Sequence, residues 1–271
     1  MKQFSKILFS VGIGISSLSY YSVTALQEQL QQQESSYQIQ NYVNTNLDKI
    51  IQDQEKKLNI VYQGRPIVEV GISEETKNAF PSLSICGYYD SEENSIYFKK
   101  DITINPLPDK DGLEISPENS CTIKEVLDHE LGHFYVDMLS EQLKHGSWPQ
   151  TLRENGKVDE NAIHIIGEGI AEYFGRTMNG HYDNFKDEEW PTKLEDFYML
   201  YDQNGKKIDL EDPPIPNYRL WYQGGYHLVK PIIDEFSVNG IHYLMFHPPT
   251  EEELINLKEY QQKVIRQLRK K

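Results

Sequence analysis

Apolar positions recur at helical intervals in five stretches of this chain and crowd into two short β-like runs. From 36 to about 58, Ile39, Tyr42, Val43, Leu47, Ile50 and Ile51 make one face of an amphipathic helix. The run from Arg65 to Ile72 is β-branched and roughly alternating, and Ser95-Ile96-Tyr97-Phe98 follows the turn-rich stretch Asp90 to Asn94, so both read as strands. Residues 101–120 carry Pro, Asp and Gly and read as loop. A long helix is predicted over about 122–143 on Leu127, Leu131, Phe134 or Tyr135, and Met138, with Gly146 available to end it. Another, over about 160–178, carries Ile163, Ile166, Ile170 and Phe174 on one face and stops at Asn179-Gly180. A polar, Pro-rich, acidic insertion runs to about Pro216, and Arg219 to Phe236 is again helical, ending near Asn239-Gly240. Thr250-Glu251-Glu252-Glu253 is a capping box before a last helix on Leu254, Leu257, Val264 and Leu268. The basic end of that helix suits its dipole better than it suits a membrane patch.

The N-terminus breaks this pattern. Lys2 and Lys6 precede an apolar run from Ile7 to about Leu18, and Val23-Thr24-Ala25 suits signal cleavage, so residues 1–25 are expected to be an export leader or, uncleaved, an N-terminal anchor. Residues 26–35 are a Gln-rich polar spacer, and 36–271 are long enough for one sizeable domain. Export places the protein in the periplasm or outside the cell, with membrane contact only through an uncleaved leader. It also favours a disulfide between Cys86 and Cys121, the only two cysteines, which in the chain-entropy model would add roughly 3 to 4 kcal/mol; two buried thiols are the alternative. A formal net charge of −15 argues against a nucleic-acid partner, because phosphate binding needs clustered Lys and Arg.

The chemistry concentrates in His129-Glu130-Leu131-Gly132-His133. On a helix, His129 and His133 are one turn apart on one face, as two nitrogen ligands of a single Zn2+ must be, and Glu130 beside them suits a general base toward a water acidified by zinc. A catalytic zinc usually has three protein ligands. Downstream, Gly167-Glu168-Gly169-Ile170-Ala171-Glu172 offers two glutamates four apart on the polar face of the next helix. Each flanking glycine costs roughly 1 kcal/mol in a helix, which makes sense where another helix or a metal must come close. His164, one turn before Glu168, competes for the third position.

HELGH followed by a helix reading GEGIAEYF resembles the gluzincins, the zincin metallopeptidases that include thermolysin and the membrane alanyl aminopeptidases; the likeness covers mainly residues 121–236. The resemblance implies one Zn2+ per chain held by His129, His133 and Glu168, with Glu130 as general base and Glu172 orienting a ligating histidine. It also implies that Tyr222, in a YxxG setting, stabilises the oxyanion, with Tyr226 and His227 as alternates and core packing as its plain role. In zincins an edge strand pairs with extended substrate; here Ser95, Ile96, Tyr97 and Phe98 are the candidates. The expected fold is therefore α+β and zincin-like, a small twisted sheet packed on the active-site helix with a mostly helical C-terminal part.

Two departures narrow the reading. Val136 and Leu139 stand where the metzincin signature needs Gly and His, and nothing before His129 matches the aminopeptidase exopeptidase motif, so N-terminal specificity is not implied. The expected activity is hydrolysis of a peptide or protein substrate. Its rival is an exported binding or scaffold protein that keeps the zincin fold without turnover, against which the retained Glu130 argues.

Overall fold

A computed structural model describes residues 17–70, 87–98, 105–106, 113–114, 122–142, 148–154, 158–180, 185–198 and 217–270. The elements are α1 (Ser17–Leu58), β1 (Ile67–Val70), β2 (Gly87–Asp90), β3 (Ser95–Phe98), β4 (Asn105–Pro106), β5 (Leu113–Glu114), α2 (Ile123–Gln142), α3 (Trp148–Glu154), α4 (Glu160–Asn179), a π-helical turn (Leu220–Gly224), α5 (Gly225–Phe236), α6 (Val238–Phe246), α7 (Glu251–Leu254) and α8 (Leu257–Leu268). The chain is broadly α+β and mostly helical, with a small three-stranded mixed sheet. Cys86, Cys121 and Gly146, like most of the apolar leader, lie outside the described residues.

Helix α2 forms where the periodicity predicted it. Thr122 and Glu125 cap it reciprocally: Thr122 Oγ1 accepts from the Glu125 N–H at 3.2 Å, and Glu125 Oε2 accepts from the Thr122 N–H at 2.6 Å. Leu127, Leu131, Phe134, Tyr135 and Met138 are all buried. Asp159 caps α4 by accepting from the Asn161 N–H, and Gly180 ends it in the left-handed region at φ 71°. Ile163, Ile166, Ile170 and Phe174 of α4 join the same core, so α2 and α4 pack as a pair.

Several elements differ from expectation: the last predicted helix is two, Glu251–Leu254 and Leu257–Leu268, and Asn105–Pro106 pairs with Leu113–Glu114 inside the stretch read as loop. Helix α1 begins at Ser17 instead of Ser36, so the polar stretch 26–35 continues the helix. The helix read to Phe236 ends there, but Asn239 and Gly240 do not stop it: Ser237, at φ 50°, separates α5 from α6, and Asn239 and Gly240 lie inside α6. The strand of Ser95, Ile96, Tyr97 and Phe98 is the middle of its sheet, not an edge, with strand order β1-β3-β2. Its residues pair in parallel with Ile67–Val70 and antiparallel with Gly87–Asp90. All four are buried, so both faces of this middle strand are covered.

Strand β2 packs against α2. A Cβ on Gly87 would stand 2.7 Å from Val126 Cγ1, and the Tyr89 ring lies edge-on to Phe134 at 6.0 Å.

Candidate metal and catalytic centre

Helix geometry brings His129, Glu130 and His133 together: one ligand atom from each lies within 4.8 Å of the other two. The imidazole centroids are 5.0 Å apart with the rings crossed at 76°. Gly132, between the histidines, is where α4 touches α2; a Cβ there would come within 2.7 Å of Ala171 Cα. Close approach at that point sets α4's polar stripe opposite the histidines. Glu168 Oε2 stands 3.3 Å from His129 Nε2 and 3.5 Å from His133 Nε2, and Glu172 Oε1 stands 3.3 Å from His129 Nδ1. The two nitrogens of His129 thus face two different carboxylates.

These glutamates are not solvated; their side chains are 17% and 18% exposed. Glu168 Oε2 is buried and makes no hydrogen bond, although it lies within ion-pair distance of two ring nitrogens. A buried carboxylate oxygen left in that state carries a desolvation cost that a cation between it and the imidazoles would remove. Charge tells the same story. Burial pulls the His129 imidazole down, but Glu168 and Glu172 outweigh it and leave it well above the ordinary histidine range. Burial pushes Glu168 up, but the charges of His133 and His129 prevail and hold it well below the usual carboxylate range. Two nitrogens and an oxygen, with positive charge favoured between them, are a donor set that suits zinc.

Glu130 is buried, and burial raises its carboxyl above the ordinary value, with the two histidines pulling the other way. Glu172 is also paired with Arg176, whose guanidinium lies over the Tyr226 ring at 5.0 Å. His129 is therefore held from behind by a chain of three side chains.

Tyr222 sits in the π-helical turn, a widened turn that re-aims side chains and recurs at functional sites. Its ring stacks on His129 at 5.6 Å with 18° between the planes. Burial and then the Glu168 charge raise its phenol well above the ordinary tyrosine value, keeping it a hydrogen-bond donor. Its alternates lie elsewhere: Tyr226 under Arg176, and His227 stacked on Phe185 at 5.3 Å along a groove with Trp190 and Lys258. His164 stacks on Trp221 at 4.1 Å and leans on Glu160 at 3.8 Å, so Glu168, not His164, faces the histidine pair.

The turn is placed by glycines. A Cβ on Gly169 would stand 2.5 Å from the Gly225 carbonyl oxygen, so α4 and the start of α5 touch backbone to backbone beside Glu168. Gly167 lies against the Trp148 ring, where a Cβ would be at 3.1 Å. Sequence reading anticipated a close approach at these glycines but not its partners. It also missed Arg176, Asp137 and Tyr89, all tied to the site; Arg176 stands four residues after Glu172, a spacing that could have signalled it.

Compared with protein-family models, curated proteins and solved structures, the chain gives no match to any of the three.

Proposed function

We propose that this protein is an exported zinc-dependent peptidase with a zincin-like architecture, in which His129, His133 and Glu168 hold one Zn2+. The observation that carries the reading is the buried Glu168 Oε2, which makes no hydrogen bond and stands 3.3 Å and 3.5 Å from the Nε2 atoms of the two histidines. Zinc bound there would supply a Lewis acid and a water acidified toward neutral pH.

The chain's own residues supply the rest. Glu130, adjacent to the ligands and buried, accepts the proton of the attacking water and delivers it to the leaving amine; a raised carboxyl suits a group that must both take and return a proton. Tyr222 directs its phenol O–H at the charge that develops on the carbonyl oxygen. Glu172, braced by Arg176, holds the His129 ring through Nδ1 and keeps Nε2 free for the metal. Because β3 is paired on both sides, Ser95, Ile96, Tyr97 and Phe98 offer no free edge to extended substrate; the edges of this sheet are β1 and β2. The leader and the Cys86–Cys121 pair belong to the same reading, as the marks of an exported protein.

Metal analysis of purified protein tests it first. Wild type is expected to hold about one zinc per chain, Glu168→Ala to lose it and His164→Ala to keep it. Glu130→Gln should keep zinc and lose cleavage of a peptide library. A wild type without zinc sinks the metal site; zinc bound without cleavage points to a binding protein on the same scaffold.

A further inference from the structure

Glu168 stands between two glycines, and each is met by a different part of the molecule. Successive residues of a helix are turned by roughly 100°, so Gly167 and Gly169 look out on nearly opposite sides with Glu168 between them. A Cβ on Gly169 would be 2.5 Å from the Gly225 carbonyl oxygen, and one on Gly167 would be 3.1 Å from Cζ3 and 3.8 Å from Cη2 of Trp148. The backbone of α5 thus bounds this turn of α4 on one side, and an indole bounds it on the other.

Trp148 is anchored at two points outside its own short helix. The first N–H groups of a helix and its last carbonyls have no partner within it. Trp148 opens α3, and its backbone N–H donates to Asp137 Oδ1 at 3.0 Å; Asp137 is buried on α2, one turn beyond His133. The Met245 carbonyl lies in the last turn of α6, and the Trp148 Nε1–H donates to it at 2.8 Å. Trp148 is buried, and the outer edge of its ring meets Gly167. One side chain therefore links the helix that carries His133 to the turn that carries Glu168.

Resting on the zinc reading above, we propose that Trp148 is a positioning residue: wedged against Gly167, it sets the rotation of α4 and so the place of Glu168 opposite His129 and His133. Glu168 Oε2 stands 3.3 Å and 3.5 Å from the two Nε2 atoms, and a metal site tolerates displacements of only about 0.5 Å. At a side-chain radius of about 5–6 Å, turning a helix by about 5° moves a tip by about that much. A rigid ring against one glycine and a backbone against the other leave α4 no such freedom.

Trp148→Phe in the full chain tests this. It keeps the N–H to Asp137 and an aromatic ring, and removes Nε1 with the outer edge that meets Gly167. We expect the zinc dissociation constant, from chelator competition at a temperature where every variant is folded, to rise about tenfold. Gly167→Ala, which pushes a methyl at the intact indole, should raise it by a similar factor. In Trp148→Phe/Gly167→Ala the methyl enters the space that the indole edge left, and the affinity should return to within about threefold of wild type. Packing alone would lower Tm in both single variants and leave the zinc affinity of the folded protein where it was. Wild-type affinity in folded Trp148→Phe, or losses that simply add in the double variant, overturn the proposal; should Trp148→Phe not fold, wild-type affinity in Gly167→Ala does so alone. If wild type itself holds no zinc, the metal reading fails and this proposal with it. Zinc binding in wild type that is indifferent to both substitutions removes this proposal and leaves the metal reading standing.

Discussion

Gly169 and Gly225 show how single atoms set this site. With a Cβ at 169 placed 2.5 Å from the Gly225 oxygen, the two helices have no room to keep their separation. Gly169→Ala is therefore expected to destabilise the protein by about 1–3 kcal/mol, read as a lower urea midpoint, and to weaken zinc binding by displacing Glu168. Glu172→Ala acts differently, because the residue bonds His129 from behind and is not one of the three proposed ligands. Its expected effect is a loss of about 10–100-fold in zinc affinity, measured by chelator competition, with the folded fraction unchanged. His129 and His133 were legible in the sequence because a helix turns a fixed spacing into a shared face, whereas Glu168 was singled out by the resemblance of its helix to the gluzincins. Tyr89 was not legible, because its ring packs on Phe134 of a helix 45 positions later (134 − 89) and no local spacing encodes that contact.

At the scale of elements, local rules performed well where a helix carries its own signals. The Asp159 cap, the isoleucine stripe and Gly180 bound α4 within a residue of the predicted span. The same helix start offers a test of its electrostatics. Arg153 binds Glu160 through Nε at 2.8 Å and Nη2 at 2.9 Å, and this holds the Glu160 carboxyl below the ordinary range against the smaller opposing pull of burial. Its folded value lies below its unfolded one, so the contribution is whole above about pH 4.3 and is lost as the pH falls through the folded value. Both side chains are about half exposed, so Arg153→Ala should cost less than about 1 kcal/mol at neutral pH, and that cost should vanish in urea titrations run near pH 3. Strand β3 shows the limit of local rules. Its four residues predict a strand, but whether a strand lies at an edge depends on its neighbours, and here the parallel partner β1 is 28 positions upstream (95 − 67).

In the whole molecule, α1 and α4 are fastened to α2 at one buried point. Asp128, next to His129, accepts from Gln54 Nε2 at 2.8 Å, Lys124 Nζ at 2.6 Å and Asn179 Nδ2 at 2.9 Å, while Gln54 Oε1 accepts from the Tyr62 phenol. Gln54 and Asp128 are both fully buried, so each polar atom needs its partner. Gln54→Ala strips one donor from a buried carboxylate and should cost about 1–3 kcal/mol, seen in thermal unfolding, with zinc affinity falling because the ledge beneath His129 loosens.

By itself the sequence determined α2, α4, the Thr250 capping box and the turn-by-turn geometry of HELGH, since these rest on interactions within a few residues. Tertiary structure alone decided which strand lies at the sheet edge, which glutamate faces both imidazoles while the other backs one of them, and which buried carboxylates, Asp128 and Asp137, hold the frame. Those outcomes depend on contacts between segments far apart in the chain, where the partner of a polar group is set by how helices and strands pack and not by its neighbours in sequence.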